Sequence, residues 1–330
     1  MPVLAMKSTP NPSPATDSLR AMPFEPSLLG IDTFAPRSQP SVHEASPSAD
    51  RVCGAQGCTS TWMMPWKNRR RPIFEHDWAC SGRCLSALVK AAVRREIGDV
   101  EDAIPEETHR HRVPLGLVLL AQGWITNPQL QTALQAQRAS GRGRIGDWLT
   151  QGCGLDEDRI TRGLSAQWNC PVLSLDGFSP SAMALAMPKR LIAEFGLLPL
   201  RVAGTSLLYL AFQERMDAAT SRGVGRMAGL NVECGLLSGT RFEAARTRLL
   251  EAEGVPVRMH GVVDADGLAS AIVKVVDDRQ PLATRLVRVH HYYWLRMWLE
   301  TGAMAGTGTL PPGPGDVEDH LFMMHPNHKP

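Results

Sequence analysis

Apolar positions recur along this chain with helical and strand-like periods, and one block of the pattern occurs twice. From Pro114 to Gln137 the chain reads PLGLVLLAQGWITNPQLQTALQAQ, and from Arg144 to Gln167 it reads RIGDWLTQGCGLDEDRITRGLSAQ. Both copies open with an apolar residue and a glycine, Leu115-Gly116 and Ile145-Gly146, and both place a leucine further on, at Leu119 and Leu149. Both close with the same run: Leu130, Leu134, Gln137, then Ile160, Leu164, Gln167. A repeated block this short is one supersecondary unit used twice. Each copy predicts a helix, a turn and a second helix. In the first, Gly123-Trp124-Ile125 breaks the opening helix. Thr126 then caps the next, with Gln129 completing a capping box and Pro128 in the tolerated first turn. In the second copy Asp156 is the cap, with Glu157 and Asp158 favourable to the helix dipole. The apolar positions of each closing run share a face, so the two units predict a four-helix, pseudo-symmetric bundle.

The pattern beyond the repeat predicts an α+β, multidomain chain. Residues 112–252 form one expected domain: helical repeats over 112–175, then a small α/β part over 176–252. There LLPLRV (197–202) and LLYLAF (207–212) read as strands around an Ala203-Gly204 hairpin turn. A helix follows over 216–228, a strand over 232–237 and a helix over 241–252. Residues 255–300 predict a β-α-β-β module, with the helix over about 266–276. Residues 50–100 end in a helix marked by Leu85, Leu88, Val89, Ala92 and Val93. The flanks, 1–48 and 303–330, are rich in Pro, Ser, Ala, Thr or Gly and predict disordered tails. Within the second, Leu321 to Met324 reads at most as a short docking patch.

Composition changes this picture little. The chain has 330 residues, 43% of them hydrophobic, and a net charge of +2, so it carries no strong electrostatic preference for a partner. It shows no uninterrupted apolar run of membrane-spanning length and no signal-peptide pattern. The expected setting is the reducing cytoplasm, where grouped cysteines point to metal ligands more than to disulfides.

Four of the seven cysteines are grouped: Cys53-x4-Cys58 and Cys80-x3-Cys84. Two such pairs supply the four soft ligands of a tetrahedral zinc site. Gly54, Gly57 and Gly82 permit the tight turns, and the second pair opens the helix, whose amides favour thiolates. Residues 50–100 are therefore expected to be a zinc-stapled module that needs its metal to fold. Free thiols are the plain alternative, and His76 is a spare ligand more at home on a loop. Cys153, Cys170 and Cys234 are isolated and read as core thiols. Lys67, Arg69, Arg70 and Arg71, with Arg83, Lys90, Arg94 and Arg95, make this segment basic. That leaves a nucleic-acid contact as a second reading.

The doubled pattern resembles the N-terminal domain of type II secretion and type IV pilus assembly ATPases (the GspE/MshE N-terminal domain), across about 112–252. The resemblance extends through PVLSLDGF (171–178) and MPKRLIAEFGLLPLRV (187–202). It implies a cyclic di-GMP ligand, with each repeat facing one half of the two-fold molecule. Carried over residue by residue, it implies Arg144, Ile145, Gly146 and Leu149 in the second copy. In the first it implies Leu115, Gly116 and Leu119. Pro114 stands where the first copy would carry its Arg, and Arg112, two residues earlier, is its candidate substitute as a ligand residue if the chain bends suitably. Cys153 stands where Gly123 does in the first copy. Two guanines need surfaces to stack on and two phosphates need cations or free amides. The contrasting possibility is a repeat retained for packing alone.

The family's ATPase engine needs a Gly-x4-Gly-Lys-Ser/Thr loop, and no such string occurs in these residues; GVGRMAG (223–229) lacks the Lys-Ser/Thr. No other catalytic grouping stands out, and His290 and His291 beside Tyr292, Tyr293 and Trp294 read as a half-exposed strand surface. The expectation is a non-enzymatic regulatory or adaptor protein of secretion or pilus systems. It would carry structural zinc, take cyclic di-GMP as ligand, and meet a protein component of that machinery. A nucleic-acid-binding regulator and a purely structural docking protein are the alternatives.

Overall fold

The computed structural model describes residues 52–60, 72–98, 112–213, 217–299 and 310–324. The stretch 1–48, the basic run 67–71 and residues 303–309 and 325–330, all subjects of expectations above, lie outside the described residues.

The described chain begins with the cysteine-bearing loop and a two-stranded hairpin, β1 (Ile73–Phe74) and β2 (Asp77–Trp78), followed by α1 (Gly82–Gly98). The repeats form α2 (Leu115–Ala121), α3 (Asn127–Ser140), α4 (Ile145–Cys153) and α5 (Glu157–Trp168). Two short helices, α6 (Pro180–Met183) and α7 (Lys189–Phe195), lead into β3 (Leu197–Ala203), β4 (Leu207–Phe212), α8 (Ala218–Ala228), β5 (Asn231–Leu236) and α9 (Gly239–Glu251). The last elements are β6 (Val257–Val262), α10 (Ala265–Arg279), β7 (Ala283–Val289), β8 (Tyr292–Trp298) and β9 (Val317–Met324).

The helix starts follow their sequence signals. The Thr126 amide donates to the Gln129 side chain at 2.8 Å, and the Asp158 amide donates to the Asp156 carboxylate at 3.2 Å. The strands β3 and β4 form the expected antiparallel hairpin, and β5 joins β4 in parallel, in the order β3-β4-β5. In GVGRMAG, Gly223 and Gly225 serve helix packing and Gly229 is the left-handed C-cap of α8. A Cβ at Gly223 would sit 2.7 Å from the Val289 side chain, so α8 lies close against β7 only because this position is bare.

The C-terminal sheet differs from the expectation in three ways. Its strand order is β6-β9-β8-β7, so a fourth strand, β9, enters between β6 and β8. It pairs in parallel with β6 and antiparallel with β8. Residues 317–324 are therefore not part of a tail, and Leu321 and Phe322 are core residues rather than a docking patch. Second, β8 is not half-exposed: Tyr292, Tyr293 and Trp294 are all buried. Tyr292 and Trp294 face a core shared with the α/β part, whereas Tyr293, Leu295 and Met297 face a core built by α1 and α10. With both faces covered the polar alternation is lost. Third, the helix of the cysteine segment does not stand apart. Its Leu85, Val89, Ala92 and Val93 pack into that second core with Leu268, Ile272 and Val276 of α10.

The signal for β9 was hidden by charge. Glu318, Asp319 and His320 are buried in the middle of the strand. Asp319, at 0% exposure, takes Arg296 of β8, itself at 2%. Arg296 donates from Nε to Oδ1 at 2.8 Å and from Nη2 to Oδ2 at 2.7 Å. Trp294 Nε1 donates to the same Oδ1 at 2.8 Å, and Arg296 Nη1 reaches the Ala186 carbonyl at 3.2 Å. Glu318 is held by Arg258 at 2.6 Å and by Arg279. His320 shares a 2.8 Å hydrogen bond with His260 of β6.

The β7–β8 turn fastens this sheet to the α/β part. His290 occupies the left-handed region at φ 53°, a position that favours glycine. Its ring is held by the Asp217 carboxylate and stacks on Phe195, with centroids 4.6 Å apart. Tyr292 donates to Glu194 of α7 at 2.6 Å.

Removing one partner of a buried pair leaves the other charge uncompensated, at a cost of about 3–5 kcal/mol. Asp319→Ala should lose about that much stability in urea unfolding followed by circular dichroism; a loss below about 1 kcal/mol would contradict the role given to the pair. A second expectation concerns pH. Burial pushes the His320 imidazole down to about 4, while the unfolded chain titrates it near 6.5. The unfolded state then binds a proton that the folded state refuses. Stability is full above about 6.5 and declines as pH falls from there toward about 4. His320→Gln should flatten this decline, measured as unfolding free energy at several pH values between those limits.

Candidate functional site

The two copies of the repeat fold alike. Residues 115–119 and 145–149 show the same burial sequence, with Gly116, Leu119, Gly146 and Leu149 buried. A Cβ at Gly116 would lie 2.6 Å from Leu130, and one at Gly146 would lie 3.2 Å from Ile160. The glycine of each copy thus lets its first helix approach its second. Leu119 and Leu149 are fully enclosed in the bundle core with Ile125, Leu130, Leu155 and Ile160. The step at Cys153 is a length change: α4 runs on to Cys153, and the left-handed residue that Gly123 supplies in the first copy (φ 67°) becomes Gly154 (φ 66°).

The closing glutamines have a role that the sequence reading missed. Gln137 ends the first copy and donates to the Gly143 carbonyl at 2.9 Å, immediately before Arg144. Gln167 ends the second and donates to the Val113 carbonyl at 2.7 Å, immediately before Pro114. Each copy therefore fixes the entrance of the other. Each acceptor sits one residue before the start of a copy, a match legible only once Gln167 is known to reach back to Val113.

Beside this entrance lies a cavity of about 450 Å³. Leu115, Arg144, Ile145 and Gly146 of the expected site line it, together with Asp147 and Trp168. Gly116, Leu119 and Leu149 belong to the bundle core behind it. Arg144 precedes α4 in extended conformation, and its amide donates to the Asp147 carboxylate at 3.3 Å. Arg112 lies over the Trp168 ring, its guanidinium carbon 3.4 Å from the ring centroid. The opposite wall comes from Gln213, Gly239 and Thr240 of the α/β part. There Glu157 accepts from the Thr240 amide at 2.9 Å and from its hydroxyl at 2.7 Å, so a carboxylate of α5 sits at the start of α9. Asp158 pairs with Arg241 at 3.5 Å. These two acids, expected to serve their own helix dipole, also join the bundle to the α/β part.

The four grouped cysteines converge. The sulfurs of Cys53, Cys58, Cys80 and Cys84 all lie within 4.8 Å of one another, and they form a group able to hold a metal ion. Cys80 Sγ is 3.6 Å from that of Cys58 and 3.5 Å from that of Cys84. Sulfurs around a tetrahedral zinc, each bonded at about 2.3 Å, stand about 3.8 Å apart, so the set fits such an ion. The local fold explains the convergence. Cys53 and Gly54 bond back to Ser60 and Trp78, and a Cβ at Gly54 would lie 2.4 Å from that of Asp77. Ser81 accepts from the Cys84 amide at 3.3 Å and starts α1. Hydrogen bonds from Ser60, hydroxyl then amide, bring the Cys58 thiol down to about 6. His76 lies exposed in the β1–β2 turn, outside the sulfur group. The far end of α1 carries Glu96, fully buried, which accepts from Arg95 at 3.0 Å, Arg226 at 2.6 Å and the Arg288 amide at 2.9 Å.

Among the described residues no helix is long and apolar enough to cross a membrane. The chain matches no family model, and no curated protein matches it. Among solved structures it is similar to MshE with cdg, at 24% identity and a TM-score of 0.34, over 42% of this chain and 99% of that one. It is also similar to the N-terminal domain of XpsE, at 18% identity and a TM-score of 0.24, over 44% of this chain and 97% of that one.

For the cysteine group, elemental analysis of freshly purified protein should find about one bound metal ion per chain, and Cys80→Ser should abolish it. Four freely reactive thiols and no metal in the untreated protein would contradict the assignment.

Proposed function

We propose that this chain is a non-catalytic regulatory or adaptor protein of secretion or pilus systems, which receives cyclic di-GMP in the cavity beside Arg144. The observation that carries this reading is the convergence of Arg144, Ile145 and Gly146 with Trp168 around one cavity. Arg144 offers a guanidinium to a phosphate, and Trp168 offers an indole to a base. A volume of about 450 Å³ falls within the range of small-molecule sites. Zinc is the ion assigned to Cys53, Cys58, Cys80 and Cys84. When bound it would tie the loop at Cys53 to the start of α1 and supply no chemistry beyond that staple.

A second reading, a docking scaffold without a ligand, is favoured by the burial of Gly116, Leu119 and Leu149. Packing alone explains those three positions. Titration calorimetry separates the two. Cyclic di-GMP should bind in the micromolar range, and Arg144→Ala should weaken it at least about tenfold, the order of one charged hydrogen bond. No heat with cyclic di-GMP at about 0.1 mM would leave the scaffold reading.

A further inference from the structure

The cavity is not symmetric, although the bundle around it is. Apart from Leu115, every bundle residue that lines it belongs to the second copy or, as Trp168, directly follows it at the end of α5. The facing wall is not the first copy but Gln213 and the start of α9. At the first copy's own entrance, Pro114 stands where the second copy has Arg144 and carries no charge. Arg112, the cation nearest that entrance in sequence, is stacked on Trp168.

We propose that this cavity reads one guanine nucleotide unit rather than a two-fold ligand, an inference that rests on the nucleotide reading of the same site. One phosphate meets Arg144, and one base meets the Trp168 indole on the face that Arg112 does not cover. The lining adds two carboxylates, Asp147 and Glu157, against the one guanidinium. An ionised carboxylate only accepts hydrogen bonds, and each of its oxygens has two lone pairs. Glu157 therefore retains acceptor capacity beyond its two bonds to Thr240. A base that suits this wall presents adjacent N–H donors on one edge. Guanine does so through its ring N–H and amino group, whereas adenine presents an amino group beside a ring acceptor. Among the lining residues a second phosphate would meet no cation besides Arg144, and it would lie near the acidic wall. The second half of a cyclic dinucleotide then projects from the site without adding affinity.

The test is calorimetry on the full chain with three probes: cyclic di-GMP, GMP and AMP. GMP should bind within about tenfold of cyclic di-GMP, and AMP at least about tenfold more weakly than GMP. Arg144→Ala should weaken GMP and cyclic di-GMP by the same factor; Arg144 is exposed, so the variant keeps its fold. Arg112→Ala should leave the ratio of the two affinities unchanged. Cyclic di-GMP binding more than about a hundredfold tighter than GMP would overturn one-sided recognition, as two engaged halves add affinity through their link, and would leave the nucleotide reading in place. Loss of any such preference in Arg112→Ala would do the same. AMP equal to GMP would overturn the assignment of the acidic wall. No heat from any probe would remove both this inference and the reading beneath it.

Discussion

Asp319 and Arg296 meet in the middle of the C-terminal sheet, both out of contact with water. Neither charge is tolerable there alone, because desolvating an unpaired ion costs several kcal/mol. Together they satisfy the carboxylate, with Trp294 supplying a third hydrogen bond and Ala186 taking the remaining guanidinium arm. That set joins β9 to β8 and both to the segment before α7. Once β9 is seated, the sheet has four strands and two covered faces. One face receives α1 and α10, and the other receives the α/β part that backs the cavity. The pair does not supply the driving force, which is burial of the aromatic residues of β8. It specifies which strand completes the sheet.

Glu96 plays a matching part on the other side. It receives groups from α1, α8 and β7, so the helix that begins at the cysteines ends in a joint between two layers. A metal at the cysteines would hold the start of α1, and Glu96 holds its end. The segment is thus built into the molecule at both ends, which is why it shares a core with the sheet rather than forming its own.

The repeat was legible because its constraints are local. Gly116 and Gly146, Thr126 with Gln129, and Asp156 all act within one helix–turn–helix unit, and the structure places them as that spacing requires. The cysteine group was legible for the same reason, since four soft ligands in two short pairs have few other uses. What escaped is set by distant partners. Residues 317–324 look like a polar tail until Arg296, Arg279 and Arg258 are known to lie opposite their acids. The strand β8 looks one-sided until α1 is known to cover its second face. At the candidate site, the identities of Arg144 and Ile145 could be read, whereas Asp147, Glu157 and Thr240 could not. Their relevance depends on how the bundle docks against α9.

The functional account therefore turns on an asymmetry inside a symmetric frame. Packing uses both copies equally, through the paired glycines and the crossed glutamines. The cavity takes its bundle wall almost entirely from the second copy, against Gln213, Gly239 and Thr240 of the α/β part. Nuclear magnetic resonance with cyclic di-GMP tests this most directly, by mapping which amides and indole groups shift. The account predicts shifts at residues 144–151, at Leu115 and at the Trp168 indole, with little change over 116–121. Equal shifts in both copies, or none in either, would contradict it.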